Sequence, residues 1–266
     1  YCYTRESGLF AVADGMGGHP EGEVASQLAL QTLAAMFQRD AKPQLSDPAR
    51  FLHDAVMTGH YQLLRYATEK ALLDTPRTTI VACVLQGSAA YWAHCGDSRL
   101  YLVRDGKLVA RTRDHSYSEL QDALSHVVPV HERLARNRNV LFTCLGSPGR
   151  PVIDTVGPVH LQVGDRLLLC SDGLWGTVSD ATITEQVAKM PIAEAVPDLV
   201  EKALRAGGSK CDNVTAIALE WEAAEDDDRR ISTRALGEEV FASTIQASVG
   251  HESPSEDLDE AEIERS

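Results

Sequence analysis

Residues 78–110 read TTIVACVLQGSAAYWAHCGDSRLYLVRDGKLVA, and this stretch decides the fold class. β-branched, aromatic and other apolar residues gather in four short runs, 79–85, 89–95, 100–103 and 107–110. Between the runs stand Gln86-Gly87-Ser88, Gly96-Asp97-Ser98 and Asp105-Gly106. Short apolar runs separated by Gly, Asp and Ser turns predict strands joined as antiparallel hairpins. Upstream the periodicity changes. In 21–37, Leu30, Leu33, Ala34 and Phe37 recur at i, i+3, i+4 and i+7 with Glu21 and Glu23 ahead of them, which predicts an amphipathic helix. Asp47 followed by Pro48 supplies an N-cap and a proline for the first helical turn. Phe51, Leu52, Ala55, Val56, Leu63 and Ala67 continue a helical stripe that Gly59 weakens. An apolar run at 9–13 precedes both helices. Downstream, strands are predicted at 166–170 and 215–221, with helices at 182–189 and 193–206 between them. The polar segment 117–139 reads as a helix plus a mobile surface segment. Helices segregated from hairpin-linked strands predict an α+β layered domain rather than a doubly wound parallel sheet.

Composition narrows the function. A chain of 266 residues, 44% hydrophobic, can bury one large core. Of its formal net charge of -14, residues 222–266 carry fourteen acidic side chains against four arginines, so 1–221 is close to neutral. That body has no basic stripe for a phosphate backbone, which argues against nucleic acid as the partner. Runs such as 161–170 are interrupted by charge and too short to span a bilayer, and no signal-peptide pattern opens the chain, so a cytoplasmic location away from membranes is expected. The six cysteines form no C-x-x-C pair and are expected to be reduced, mostly buried thiols. The organisation predicted is one folded domain over 1–221 and an acidic, disordered tail or linker over 222–266.

Four aspartates share one setting at the ends of apolar runs or beside tight-turn residues: Asp14 in Ala13-Asp14-Gly15, Asp97 in Gly96-Asp97, Asp172 in Ser171-Asp172-Gly173, and Asp212 in Cys211-Asp212-Asn213. Taken singly, an Asp-Gly after a strand is a turn. Gathered at the ends of strands of one sandwich, four carboxylates without lysine or arginine partners would repel one another unless a hard divalent cation sat among them. An all-oxygen donor set suits magnesium or manganese better than zinc. His19, five residues after Asp14 on a glycine-rich loop, is the candidate proton donor. The loop Gly15–Gly18 lacks the Gly-Lys-Ser/Thr ending of a P-loop, and Leu169 stands where a nucleophile elbow needs its first glycine, so nucleotide binding and serine hydrolysis are set aside.

In order along the chain, Val12-Ala13-Asp14-Gly15-Met16-Gly17-Gly18-His19, Thr78-Thr79, Gly96-Asp97-Ser98-Arg99, Arg113-Asp114-His115-Ser116, Leu145-Gly146-Ser147, Ser171-Asp172-Gly173-Leu174-Trp175 and Asp212-Asn213-Val214-Thr215 resemble the motifs of the type 2C metal-dependent protein phosphatases, in their bacterial form. The resemblance implies a four-layer α-β-β-α sandwich of two antiparallel sheets flanked by helices. It implies two manganese or magnesium ions, with Asp14 bridging both, the Gly15 carbonyl on the second, and Asp172 and Asp212 completing the first. Asp97 would help hold a third, weaker metal, and His19 would be the general acid toward a leaving serine or threonine oxygen. The activity implied is hydrolysis of phosphoserine and phosphothreonine in proteins by a metal-activated water, opposing kinase signalling. The expected partners are phosphoproteins, including a serine/threonine kinase, met by a monomer; a catalytically impaired phosphoprotein- or kinase-binding module is the alternative. Two departures stand out. The family's phosphate-binding arginine and its Asn-Glu/Gln-Asp segment belong before Tyr1, and Arg5 lies too late to replace the arginine, so a missing first strand is expected. Arg77 also stands where the family usually has glycine, and no functional weight is attached to it.

Overall fold

The runs at 7–12, 80–86, 89–95, 99–104 and 166–170 read as almost continuously apolar because both faces of these strands are covered. The computed structural model describes residues 1–123, 140–208 and 211–222. One sheet has the strand order β1-β2-β3-β4-β7, built from β1 (Cys2–Tyr3), β2 (Ser7–Val12), β3 (Ile80–Gln86), β4 (Ala89–Cys95) and β7 (Asp154–His160). The other has the order β6-β5-β8-β9, from β5 (Arg99–Arg104), β6 (Lys107–Arg111), β8 (Arg166–Cys170) and β9 (Ala216–Glu220). All pairings are antiparallel.

Phe10, Val12, Val81, Cys83, Leu85 and Trp92 of the first sheet pack against Leu100, Leu102, Leu167 and Leu169 of the second. The intervening residues point the other way. Leu9, Ile80, Ala82 and Val84 join the core under α1 (Gly22–Asp40) and α2 (Pro48–Glu69). Tyr101, Val103, Leu168 and Cys170 join the core under α5 (Asp180–Lys189) and α6 (Ile192–Gly207). The layers therefore run α-β-β-α, the α+β sandwich expected from the sequence.

Several local expectations change. The apolar stripe of α1 is Ala25, Ala29, Leu33 and Phe37; Leu30 is only partly buried, because small alanines let the helix lie close to α2 and rotate Leu30 aside. Gly96-Asp97-Ser98 does not close a hairpin. It carries the chain from β4 in one sheet to β5 in the other, a crossing that local turn chemistry cannot distinguish from a hairpin. β7 is missing from the sequence reading because it is an exposed edge strand, interrupted by Gly157-Pro158 and facing a bulge between Ala90 and Trp92. α4 (Asp172–Trp175) is too short to show periodicity. The six cysteines are free, four of them buried. Within the polar segment 117–139, α3 (Tyr117–Ala123) forms; residues 124–139 and the acidic stretch 223–266, with the tail expectation, lie outside the described residues.

Candidate metal centre

Antiparallel pairing sends the four aspartates to one end of the sandwich. β2 and β4 both flank β3 antiparallel, so their C-terminal ends, followed by Asp14 and Asp97, lie on the same side. β8 ends at Cys170, paired with both Arg99 and Ala216, which brings Asp172 beside the start of β5 and the segment holding Asp212. Local bonds hold the carriers of these residues. The Asp14 carbonyl accepts from Thr79 N–H at 2.8 Å and from Thr78 Oγ1 at 2.8 Å. Ser171 Oγ donates to the Asn213 carbonyl at 3.2 Å and accepts from Thr215 N–H at 3.1 Å. Trp175 Nε1 donates to the Asp97 carbonyl at 2.9 Å.

Close approach depends on two glycines. A Cβ on Gly15 would sit 2.1 Å from the Gly22 carbonyl oxygen, where α1 begins, and one on Gly173 would sit 2.3 Å from the Asn213 carbonyl oxygen. Side chains at either position would push Asp14 away from α1, or Asp172 away from Asp212.

The carboxylates feel one another strongly. Burial pushes the Asp14 carboxyl well above its ordinary range; the neighbouring Asp172, hydrogen-bonded to it, adds to the rise, as do Asp212 and Asp97. Asp172 is raised by burial and by the Asp212 charge. Asp97 is pushed up to about 7 by burial and then by Asp172. Asp172 Oδ1 is buried with no hydrogen-bond partner among the described residues. The nearby arginine does not neutralise this group. Arg99 is committed to Asp114 through two bonds of 2.7 Å, stacks on Trp175 at 3.6 Å, and reaches Tyr101 and Asp180. Clustered carboxylates that grade from buried Asp97 to exposed Asp212, with an orphan oxygen on Asp172 and only oxygen donors, fit a hard divalent cation.

The structure thus brings Asp14, Asp97, Asp172 and Asp212 together, with Gly15 beside Asp14 and bridged to Thr78. His19 lies on the same loop, with Nε2 4.0 Å from Asp74 Oδ2; its Nδ1 is buried without a partner among the described residues. Asp74 is itself held by Thr75 N–H at 2.8 Å and Arg77 at 3.2 Å. Sequence reasoning assigned no role to Asp74, Asp114 or Trp175. Asp114 and Trp175 belong to quoted motifs, so their signal was present; Asp74 lies in a loop after α2 with no motif to mark it.

Known proteins resemble this chain closely. The family model described as protein phosphatase 2C matches residues 1–206. The serine/threonine protein phosphatase PstP of Mycobacterium tuberculosis is 37% identical over 212 residues, covering 80% of this chain and 40% of its own length, so this chain spans less than half of that relative. The serine/threonine phosphatase stp of Listeria innocua is 33% identical over 217 residues, covering 80% of this chain and 84% of its own. Among solved structures, the catalytic domain of PstP in complex with two manganese ions aligns with a TM-score of 0.65 at 36% identity over 79% of this chain and 86% of that one. Stp1 of Staphylococcus aureus aligns with a TM-score of 0.73 at 29% identity over 83% of this chain and 87% of its own.

Proposed function

The chain belongs to the protein phosphatase 2C family, and from that premise we propose that it hydrolyses phosphoserine and phosphothreonine in proteins, in the cytoplasm and in opposition to serine/threonine kinases. The observation that carries the reading is the convergence of four aspartates on one end of the sandwich, Asp97 buried, Asp14 and Asp172 half-buried and Asp212 exposed, with Asp172 Oδ1 left unpartnered among the described residues. Asp14, the Gly15 carbonyl, Asp172 and Asp212 would hold two manganese or magnesium ions, and Asp97 would help hold a third, weaker one. When bound, such ions supply concentrated positive charge for the phosphate oxygens and lower the pKa of an attacking water.

The protein's own residues do the rest. The Ser171 and Trp175 bonds fix the backbone at Asn213 and Asp97, so little reorganisation is needed when a dianionic phosphate arrives. His19, its ring partly exposed and its Nε2 4.0 Å from Asp74, delivers a proton to the leaving serine or threonine oxygen. No enzyme–phosphate bond is needed, and the products are the free hydroxyl side chain and inorganic phosphate. No observation favours the binding-module alternative, since every predicted carboxylate of the cluster is present and close.

The test is hydrolysis of a phosphothreonine peptide by the full gene product, with and without manganese, beside its Asp172→Asn variant. Manganese-dependent turnover that the substitution abolishes is expected. Turnover indifferent to a chelator, or retained by Asp172→Asn, would refute the proposal.

A further inference from the structure

A second convergence of ligating side chains lies outside the aspartate cluster. His94 and Asp154 are cross-strand partners in the β4/β7 pairing, so their side chains leave the same face of the sheet. His115 arrives from the segment after β6, where its own N–H donates to the Gly96 carbonyl at 2.9 Å. Its ring lies over that of His94, with centroids 4.5 Å apart and planes 28° from parallel. One ligand atom from each of His94, His115 and Asp154 lies within 4.8 Å of the other two. The histidines are 3% and 4% exposed, whereas the Asp154 side chain is 55% exposed. A buried imidazole pair thus has a carboxylate at its mouth.

The hydrogen bonds define where the free lone pairs are. His94 Nε2 is 2.7 Å from the Arg113 carbonyl, which only accepts, so Nε2 carries the proton and Nδ1 presents a lone pair. That Nδ1 is buried without a partner among the described residues. His115 Nδ1 accepts from Gly96 N–H at 3.2 Å, so in the neutral ring Nε2 carries the proton and points at the Asp154 carboxylate, 3.5 Å away. An orphaned lone pair on His94 Nδ1, buried beside a second imidazole and a carboxylate, is costly and calls for a physical explanation. Burial lowers the pKa of both imidazoles, keeping them neutral as a metal requires. A carbonyl behind the non-ligating nitrogen, as behind His94, is the arrangement that orients metal-bound histidines.

We propose that His94 Nδ1, His115 Nε2 and the Asp154 carboxylate form a binding site for a borderline transition-metal ion of the zinc class, distinct from the all-oxygen aspartate cluster. Two imidazoles and one carboxylate select such ions over magnesium or calcium. Three protein ligands leave a fourth position open toward solvent beside Asp154. To ligate through Nε2, His115 shifts its proton to Nδ1 and gives up the long bond from Gly96. No net proton is released from either imidazole, and affinity is reduced by the lost bond.

Cobalt(II) is the probe. In four-coordinate, nitrogen-containing sites it absorbs visible light far more strongly than in six-coordinate oxygen sites. The 266-residue chain is titrated with cobalt in excess magnesium, which occupies the oxygen cluster. One equivalent should develop the strong band, and one equivalent of zinc should remove it. Asp154→Asn, at an exposed position, and His94→Gln should each weaken cobalt binding at least about 10-fold, with circular dichroism reporting that each variant is folded. Three results would overturn the site: only the weak six-coordinate spectrum, sulfur-to-cobalt charge-transfer bands that place the ion on a cysteine, or folded Asp154→Asn binding cobalt as tightly as the parent.

Discussion

Replacing Gly173 with alanine should destabilise the protein, although residue propensity alone gives the opposite sign. Gly173 is the second residue of α4, and alanine in a helix normally gains about 0.5–1 kcal/mol over glycine. In this structure the new Cβ would lie 2.3 Å from the Asn213 carbonyl oxygen and 2.9 Å from its carbon. A carbon beside a carbonyl oxygen settles at about 3.3 Å or more, so one backbone must retreat by roughly 1 Å. The retreat pulls on the Ser171 Oγ bonds to Asn213 and Thr215. Overpacking of this kind costs about 1–3 kcal/mol and a lost hydrogen bond about 1 kcal/mol more. Subtracting the helical gain leaves a net loss of about 1–3 kcal/mol, a fall in Tm of roughly 3–10 °C. Asp172 moves with Gly173, so manganese binding should weaken as well. Gly59→Ala is the contrasting case. Its Cβ would meet Ala29 Cα at 3.7 Å and Leu145 Cδ1 at 3.9 Å, ordinary contacts, so α2 should gain about 0.5–1 kcal/mol. Thermal unfolding followed by circular dichroism, with calorimetric titration of manganese, reads both variants. If Gly173→Ala melts at or above the parent temperature and binds manganese unchanged, the close-approach argument is wrong.

Arg99→Met leaves Asp114 charged and buried without its guanidinium partner, a loss of about 3–5 kcal/mol that urea denaturation should register; a loss below about 1 kcal/mol would show the pair to be well solvated. Asp47→Ala removes the acceptor for Arg50 N–H, which it meets at 3.0 Å at the start of α2, and should cost about 1 kcal/mol on the same assay; an unchanged midpoint would mean that the cap is redundant. In metal-stripped protein, Asp97 holds its proton up to about pH 7, above the roughly 3.9 of an unfolded aspartate, so its stabilising contribution is complete below about pH 4 and is lost as pH rises through about 7. The Tm measured in chelator should therefore fall between about pH 4 and about pH 7, and a rise there would contradict the crowded-carboxylate picture.

Most of the strands, the two long helices and the aspartate-bearing turn motifs were legible because they rest on local chemistry. Asp47-Pro48 caps a helix whatever surrounds it, and the runs of β3 and β4 are apolar because both faces are buried. β7 was not legible, since an exposed edge strand carries no hydrophobic pattern, and α4 was too short for one. The tie of His19 to Asp74 joins a loop to residues more than fifty positions away, and no spacing announces it.

By itself, the sequence determined the residue chemistry: which segments bury apolar faces, which residues cap and turn, and which four aspartates stand at the ends of apolar runs or beside tight turns. Only the tertiary structure decided that Gly96-Asp97-Ser98 crosses between sheets, and that His94, His115 and Asp154 meet around a His94 Nδ1 unpartnered among the described residues. The reason is physical. Turn and helix signals are short-range and written in adjacent side chains, whereas sheet membership and ligand convergence follow from long-range strand register, which no local stretch encodes.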